Sequence, residues 1–195
     1  MQTGVCVRVI EGTLGGVRLL LPDRFADDRG FFGVVWNRDD VAECLGAVDF
    51  IQENESLSHR VGTLRGLHFQ APPHAQAKLV RVAAGAALSV VVDARVGSPG
   101  FGRWDAFDLT RGNGLQLFVP RGFLHGFVTR APDTLVQYKV DNSFLPEAAG
   151  SLRWNDPELA IDWGVGENHV TLSQKDRDAI SFSSWKSPFR YEEPA

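Results

Sequence analysis

The sequence predicts an all-β fold, a jelly-roll sandwich or barrel of antiparallel strands with a few short helices, mainly near the C-terminus. Short runs of β-branched and aromatic residues recur through the middle of the chain, as in LSVVVD (Leu88–Asp93). Turns rich in Gly, Pro, Asn and Asp separate them, and little helical periodicity lies between. At 195 residues the length suits one domain spanning residues 1–195.

The stretch from Gly4 to Leu21 alternates β-branched or leucine residues with small and polar ones and breaks at Gly15-Gly16, which reads as a hairpin, either an arm or a core element. Asp23 to Trp36 leads through Arg29-Gly30 into an apolar aromatic strand. A short helix follows, with Asp39 or Asp40 as its cap and Val41, Ala42 and Leu45 as its apolar stripe. Gln52 to Ser58 is a polar strand or loop feeding TLRGLHFQAPPHAQAKLVR, Thr63 to Arg81, which turns at Pro72-Pro73. Further strands are expected at Leu88–Asp93, Trp104–Leu109, Leu115–Val119 and Leu135–Val140. The last fifty residues carry turns with large aromatics, then one short helix from Ser173 to Ile180 and a covering tail.

A formal net charge of −4 gives no electrostatic footprint for a nucleic-acid polymer or an anionic membrane, so an anionic ligand needs a local basic pocket. The two cysteines, Cys6 and Cys44, form neither a CxxC pair nor a disulfide framework, as expected in a reducing cytoplasm. The N-terminus has no apolar signal-like region, and no segment is apolar enough for a membrane span, so a cytoplasmic protein is expected.

His68 is the first candidate base, because imidazole titrates near neutral pH; taken alone, a histidine on a β face reads more often as a core residue with its bonds satisfied. Lys78 alternates onto one face with Val80 and Val82, where an ammonium either snorkels to solvent or stabilises an oxyanion in a wet pocket. Strict alternation puts Arg65 on the face opposite His68, and both reach one cavity only if Gly66 relaxes the strand as a bulge. Tyr138 shares a face with Val136 and Val140, as a core residue or as a phenolic proton donor. Asp176 fits the capping-box spacing of Ser173-Gln174-Lys175-Asp176. Arg29, Arg60, Arg65 and Lys175 are either phosphate partners or solvated surface cations.

PRGFLHG, Pro120 to Gly126, resembles the second motif of the cupin superfamily. Metal-bearing cupins supply a His-x-His pair and a glutamate from their first motif, where this chain reads LHFQAPPHAQAK. The ammonium of Lys78 opposes a divalent ion there, so no metal is expected; His68, His74 and His125 are the alternative ligand set.

The ordered series RGLHFQ, PP-x-x-Q-x-K-L-V-R-V, VVVDARVGSPGFGRW, VPRGFLHGF, QYKV, RWNDPELAIDW and LSQKD resembles the dTDP-4-dehydrorhamnose 3,5-epimerase family from about Phe25 to Asp176. The resemblance implies a metal-free cupin jelly roll, usually a homodimer. It implies epimerisation of a dTDP-4-keto-6-deoxyhexose at C3 and C5 through enolates, without a cofactor, in deoxysugar biosynthesis of the dTDP-rhamnose type. It also implies that His68 is the base, Asp176 its paired carboxylate, Lys78 the group near the keto oxygen and Tyr138 the acid. Arg29, Gln52, Asn54, Arg65, His125 and Lys175 resemble nucleotide and phosphate contacts. Phe31 or Phe32 would stack near the thymine, from either subunit. Two positions depart from the family pattern: Gly33-Val34-Val35 lacks its glutamate, and Ser143-Phe144 stands where tyrosine is common. These departures leave open an epimerase restricted to C3 or C5, or a ketoisomerase. A metal-dependent cupin and a non-catalytic nucleotide-sugar binder are the readings from other classes.

Overall fold

The computed structural model describes residues 7–46 and 48–192; Gly4 to Cys6, where the predicted first hairpin begins, lie outside them. That hairpin is β1 (Val7–Glu11) and β2 (Arg18–Pro22), paired antiparallel from Val7↔Pro22 to Glu11↔Arg18. A small second hairpin, β3 (Phe25–Asp27) and β4 (Gly30–Phe32), precedes helix α1 (Arg38–Leu45). Then come β5 (Gln52–Ser58), β6 (Leu64–Gln70), β7 (Lys78–Ala84) and β8 (Ala86–Asp93). They are followed by β9 (Trp104–Thr110), β10 (Gln116–Val119), β11 (Phe123–Thr129) and β12 (Thr134–Val140). The remainder holds a 3-10 turn at Pro146–Ala148, strand β13 (Ala149–Ser151), a second 3-10 turn at Glu167–His169, and helix α2 (Gln174–Arg177).

Two antiparallel sheets face each other, one in the order β1-β2-β10-β7-β12-β5 and one in the order β13-β6-β11-β8-β9. Strands consecutive in sequence often lie in different sheets, which makes the sandwich a jelly roll. Between the sheets, Val80, Val82, Val91, Leu117, Phe123, Phe127 and Val136 form one buried cluster. The first hairpin is part of this architecture, because β2 pairs with β10.

Burial pattern follows from what covers each face. β5 alternates half-buried and exposed positions until Ser58, as a strand with one wet face should. Every residue of β11 is buried. The second face of its sheet lies under the C-terminal segment, where Leu64, Leu67, Val90, Val92 and Leu124 pack with Trp154, Leu159 and Trp163. That segment is pinned by polar bonds as well as packing. Arg130 donates to the carbonyls of Trp163 (2.6 Å) and Gly164 (2.9 Å), and Trp163 Nε1 donates to the Trp154 carbonyl at 2.8 Å. Thr63 bridges Thr171 in parallel.

Both helices differ from expectation in detail. Asn37 caps α1, not Asp39 or Asp40: its extended backbone lets Oδ1 accept from the N–H groups of both, at 2.9 and 3.2 Å. The aspartates instead occupy the first turn, where their charge suits the helix dipole. The face packed on the sheet is Val41, Cys44 and Leu45, with Ala42 exposed, since positions three and four apart share a face. Helix α2 stops at Arg177 because Ile180 leaves it to bridge Leu152, and the Ile180 carbonyl accepts from the Arg153 N–H at 2.9 Å. Among the described residues no helix is long and apolar enough to cross a membrane.

Candidate active site

One cavity of about 300 Å³ is lined by Arg65 and His68 from β6, Lys78 from β7, His125 and Phe127 from β11, Tyr138 from β12, and Ser173, Lys175 and Asp176 from the C-terminal segment, with Glu55 and Ser56 of β5 completing the wall. The two sheets contribute opposite walls, so groups distant in sequence converge.

The pairing of β6 with β11 runs His125↔His68 and then Phe127↔Arg65, so three steps along β6 match two along β11. The extra residue turns Arg65 and His68 onto the same cavity, as a bulge at Gly66 should. Gly66 holds φ at +139°, and a Cβ there would lie 2.4 Å from the Gly126 Cα. Gly66→Ala is therefore expected to destabilise the fold by about 2–5 kcal/mol, read from the midpoint of chemical denaturation.

His68 Nε2 lies 2.5 Å from Asp176 Oδ1, with the imidazole 36% exposed and the carboxylate 3% exposed. Asp176 Oδ2 accepts from the Ser173 hydroxyl at 2.8 Å. Burial alone would raise the pKa of Asp176, but the bonds from His68, Ser173 and the Gly66 N–H, with the nearby imidazole charge, hold it below the ordinary carboxylate value. Both readings of Asp176 hold. Ser173 caps α2 by accepting from the Asp176 N–H at 3.2 Å, and this places the Asp176 carboxylate against His68. The partly exposed imidazole, which lines the cavity, then has one nitrogen anchored.

Lys78 lies on the inner face with Val80 and Val82, and burial lowers its pKa to about 8. Tyr138 stands opposite Asn54 of β5, and burial raises its phenol while the Arg65 charge pulls it back. Burial, and the charges of Lys78 and His68, push His125 well below the ordinary imidazole value. Its Nε2 lies 2.9 Å from the Ser89 hydroxyl. Arg65 donates to the Leu57 carbonyl at 3.2 Å and contacts Ser58 Oγ at 3.4 Å, which props its guanidinium at the cavity edge.

Of the expected site residues, His68, Lys78, Tyr138, Asp176, Arg65, His125 and Lys175 thus share the cavity. Gln52 and Asn54 continue the inner face of β5 beyond it and bond each other at 2.7 Å. Arg29, Phe31 and Phe32 do not line it. They sit on the β3–β4 hairpin, where Arg29 pairs with Asp27 at 2.6 Å, Phe32 is 70% exposed, and the guanidiniums of Arg24 and Arg111 both lie over the Phe31 ring. His74 lies at the Pro-Pro turn, outside the cavity, so the set His68, His74 and His125 is not assembled. Sequence reasoning missed Ser56, whose buried hydroxyl lacks a partner among the described residues and lines the cavity. The alternation Gln52, Asn54, Ser56, Ser58 was the signal that could have found it.

The family profile for dTDP-4-dehydrorhamnose 3,5-epimerase matches residues 11–184. The chain belongs to this epimerase family. A family member from Sinorhizobium fredii, a dTDP-4-dehydrorhamnose 3,5-epimerase, is 44% identical over 183 residues, covering 92% of this chain and 91% of that protein. The crystal structure of dTDP-6-deoxy-D-glucose-3,5-epimerase from Legionella pneumophila, in complex with dTDP-4-keto-L-rhamnose, superposes with a TM-score of 0.91 at 37% identity, covering 96% of this chain and all of that one. A dTDP-4-dehydrorhamnose 3-epimerase from Streptomyces niveus is 37% identical over 166 residues, covering 85% of this chain and 79% of that protein. The epimerase-family match thus includes every strand that contributes to the cavity.

Proposed function

We propose that the protein is a cofactor-independent isomerase that epimerises a dTDP-4-keto-6-deoxyhexose at C3 and C5 through enolate intermediates, in dTDP-rhamnose-type sugar biosynthesis in the cytoplasm. The observation that carries this reading is the 2.5 Å contact between His68 and Asp176 at a cavity that also holds Lys78 and Tyr138.

A hydrogen α to a ketone becomes acidic only when the enolate oxygen is stabilised, which is the task of the Lys78 ammonium. His68 takes the proton. Asp176 holds the imidazole in orientation and supports the imidazolium formed. Inversion requires reprotonation from the opposite face by a separate acid, and Tyr138, on the facing sheet, has that role. C3 and C5 both flank C4, so one base and one acid serve both centres if the ring presents each in turn. Arg65, Lys175, Gln52, Asn54 and His125 are assigned to the nucleotide and its phosphates. Arg29 and Phe31 or Phe32 belong to the same function in a homodimer, whose partner presents the exposed β3–β4 hairpin to the cavity.

A reading restricted to one centre has its own support. The chain contains two tyrosines, Tyr138 and Tyr191, and Tyr191 lines a different cavity. Phe144 is 58% exposed and does not line the active-site cavity, so Tyr138 is its one phenol. Incubation with dTDP-4-keto-6-deoxyglucose in deuterated water, followed by NMR, is expected to place deuterium at C3 and C5. Deuterium at one carbon alone selects the single-centre reading, and none at either overturns the epimerase.

A further inference from the structure

We infer that Ser89 is a positioning residue that fixes His125 as a neutral donor, and that His125 shares with Lys78 the stabilisation of the oxygen that becomes negative during proton abstraction. This rests on the epimerase reading but moves His125 from the phosphates to the reacting ketone.

Ser89 is 1% exposed on β8 and faces inward across the β8–β11 ladder, where Gly126 and Phe127 pair with Val90 and Ser89. Its hydroxyl makes one side-chain hydrogen bond among the described residues, to His125 Nε2 at 2.9 Å. A buried hydroxyl carries a hydrogen that requires an acceptor, and a neutral imidazole offers one at whichever nitrogen lacks the proton. With Ser89 donating to Nε2, both groups are satisfied. The reverse arrangement leaves the serine hydrogen without a side-chain acceptor. The proton of His125 accordingly sits on Nδ1.

His125 Nδ1 makes no hydrogen bond among the described residues. Among the described residues the buried side-chain polar atoms without a partner are Trp36 Nε1 and Ser56 Oγ, and Nδ1 is not among them, so it opens onto the cavity that its residue lines. There it presents an N–H to the cavity that Lys78 also lines, while burial and the Lys78 charge disfavour the imidazolium. The neutrality of this donor serves the chemistry. A second imidazolium would repel both the Lys78 ammonium and the positive charge that His68 gains on taking a proton. A neutral N–H stabilises the oxyanion without opposing that transfer.

The test begins on the unaltered protein. Nitrogen-15 NMR of the histidine rings at pH 7 is expected to show His125 neutral, with Nδ1 protonated and Nε2 not. A cationic ring, or the Nε2–H form, overturns the assignment without reference to any substrate. In the deuterium-exchange assay, Ser89→Ala is expected to lower kcat about 10–100-fold while KM stays within about threefold, with the histidine signals reporting mixed tautomers. An unchanged kcat in a wild-type enzyme that does exchange overturns the positioning role alone; absence of exchange in the wild type defeats the epimerase reading instead. His125→Asn, whose amide nitrogen stands near the place of Nδ1, should exceed His125→Phe in kcat by about tenfold or more. Equal rates for these two variants count against the donor.

Discussion

Replacing His68 by alanine is expected to reduce solvent-deuterium incorporation at C3 and C5 by about 10²–10⁴-fold while leaving the chain folded. The size of the loss follows from the lack of a substitute. Of the other basic groups on the cavity wall, His125 is held by the Ser89 hydroxyl, and Lys78, with a pKa of about 8, is chiefly a cation at neutral pH. Asp176 is 3% exposed and both its oxygens are engaged. The fold should survive because the imidazole is 36% exposed and the Asp176 carboxylate keeps its bond from Ser173. Circular dichroism and a thermal melt supply the control. A folded His68→Ala protein that retains more than about one tenth of wild-type exchange removes His68 from the role of base.

Lys78→Met is expected to separate activity from stability in opposite directions. Loss of the ammonium should lower kcat by about 10²–10³-fold, the scale of removing an oxyanion partner. The same change should raise the melting temperature at neutral pH by about 2–5 °C. Burial lowers the Lys78 pKa from 10.5 to about 8, so between those values the unfolded chain binds the proton that the folded chain has released. The buried charge is therefore a full penalty on folding below pH 8, and the penalty is relieved as pH climbs from 8 towards 10.5. Wild-type kcat should fall over that range as the ammonium is lost, while the Lys78 contribution to stability improves. The methionine variant should lack both trends. A variant that melts lower than wild type, with kcat unchanged, would show Lys78 to be a structural snorkelling residue.

Several parts of this site were legible from residues alone because they rest on period-two geometry. The alternation of Lys78, Val80 and Val82 put the ammonium on the inner face. The conflict between Arg65 and His68 under strict alternation located the bulge at Gly66. Other parts depend on what folds against what. Asp176 reads as a helix cap in its own segment, and its contact with His68 spans 108 residues, so family resemblance was needed to suggest it. Ser89 lies within LSVVVD, a stretch buried on both faces, where no alternation marks the inner positions. The α1 cap went to Asn37 because capping is decided by the backbone angle of one residue, and neighbouring Asn and Asp side chains compete for it.

The carboxylate partner of the base arrives on the C-terminal segment that Arg130, Thr63 and the Trp154–Trp163 pair clamp over the second sheet. During synthesis, the walls bearing His68, Lys78 and Tyr138 emerge from the ribosome well before Asp176 does. On the proposed chemistry, a chain whose C-terminal segment has yet to dock carries His68, Lys78 and Tyr138 but no carboxylate to arm the imidazole, so docking of that segment is also what switches proton abstraction on.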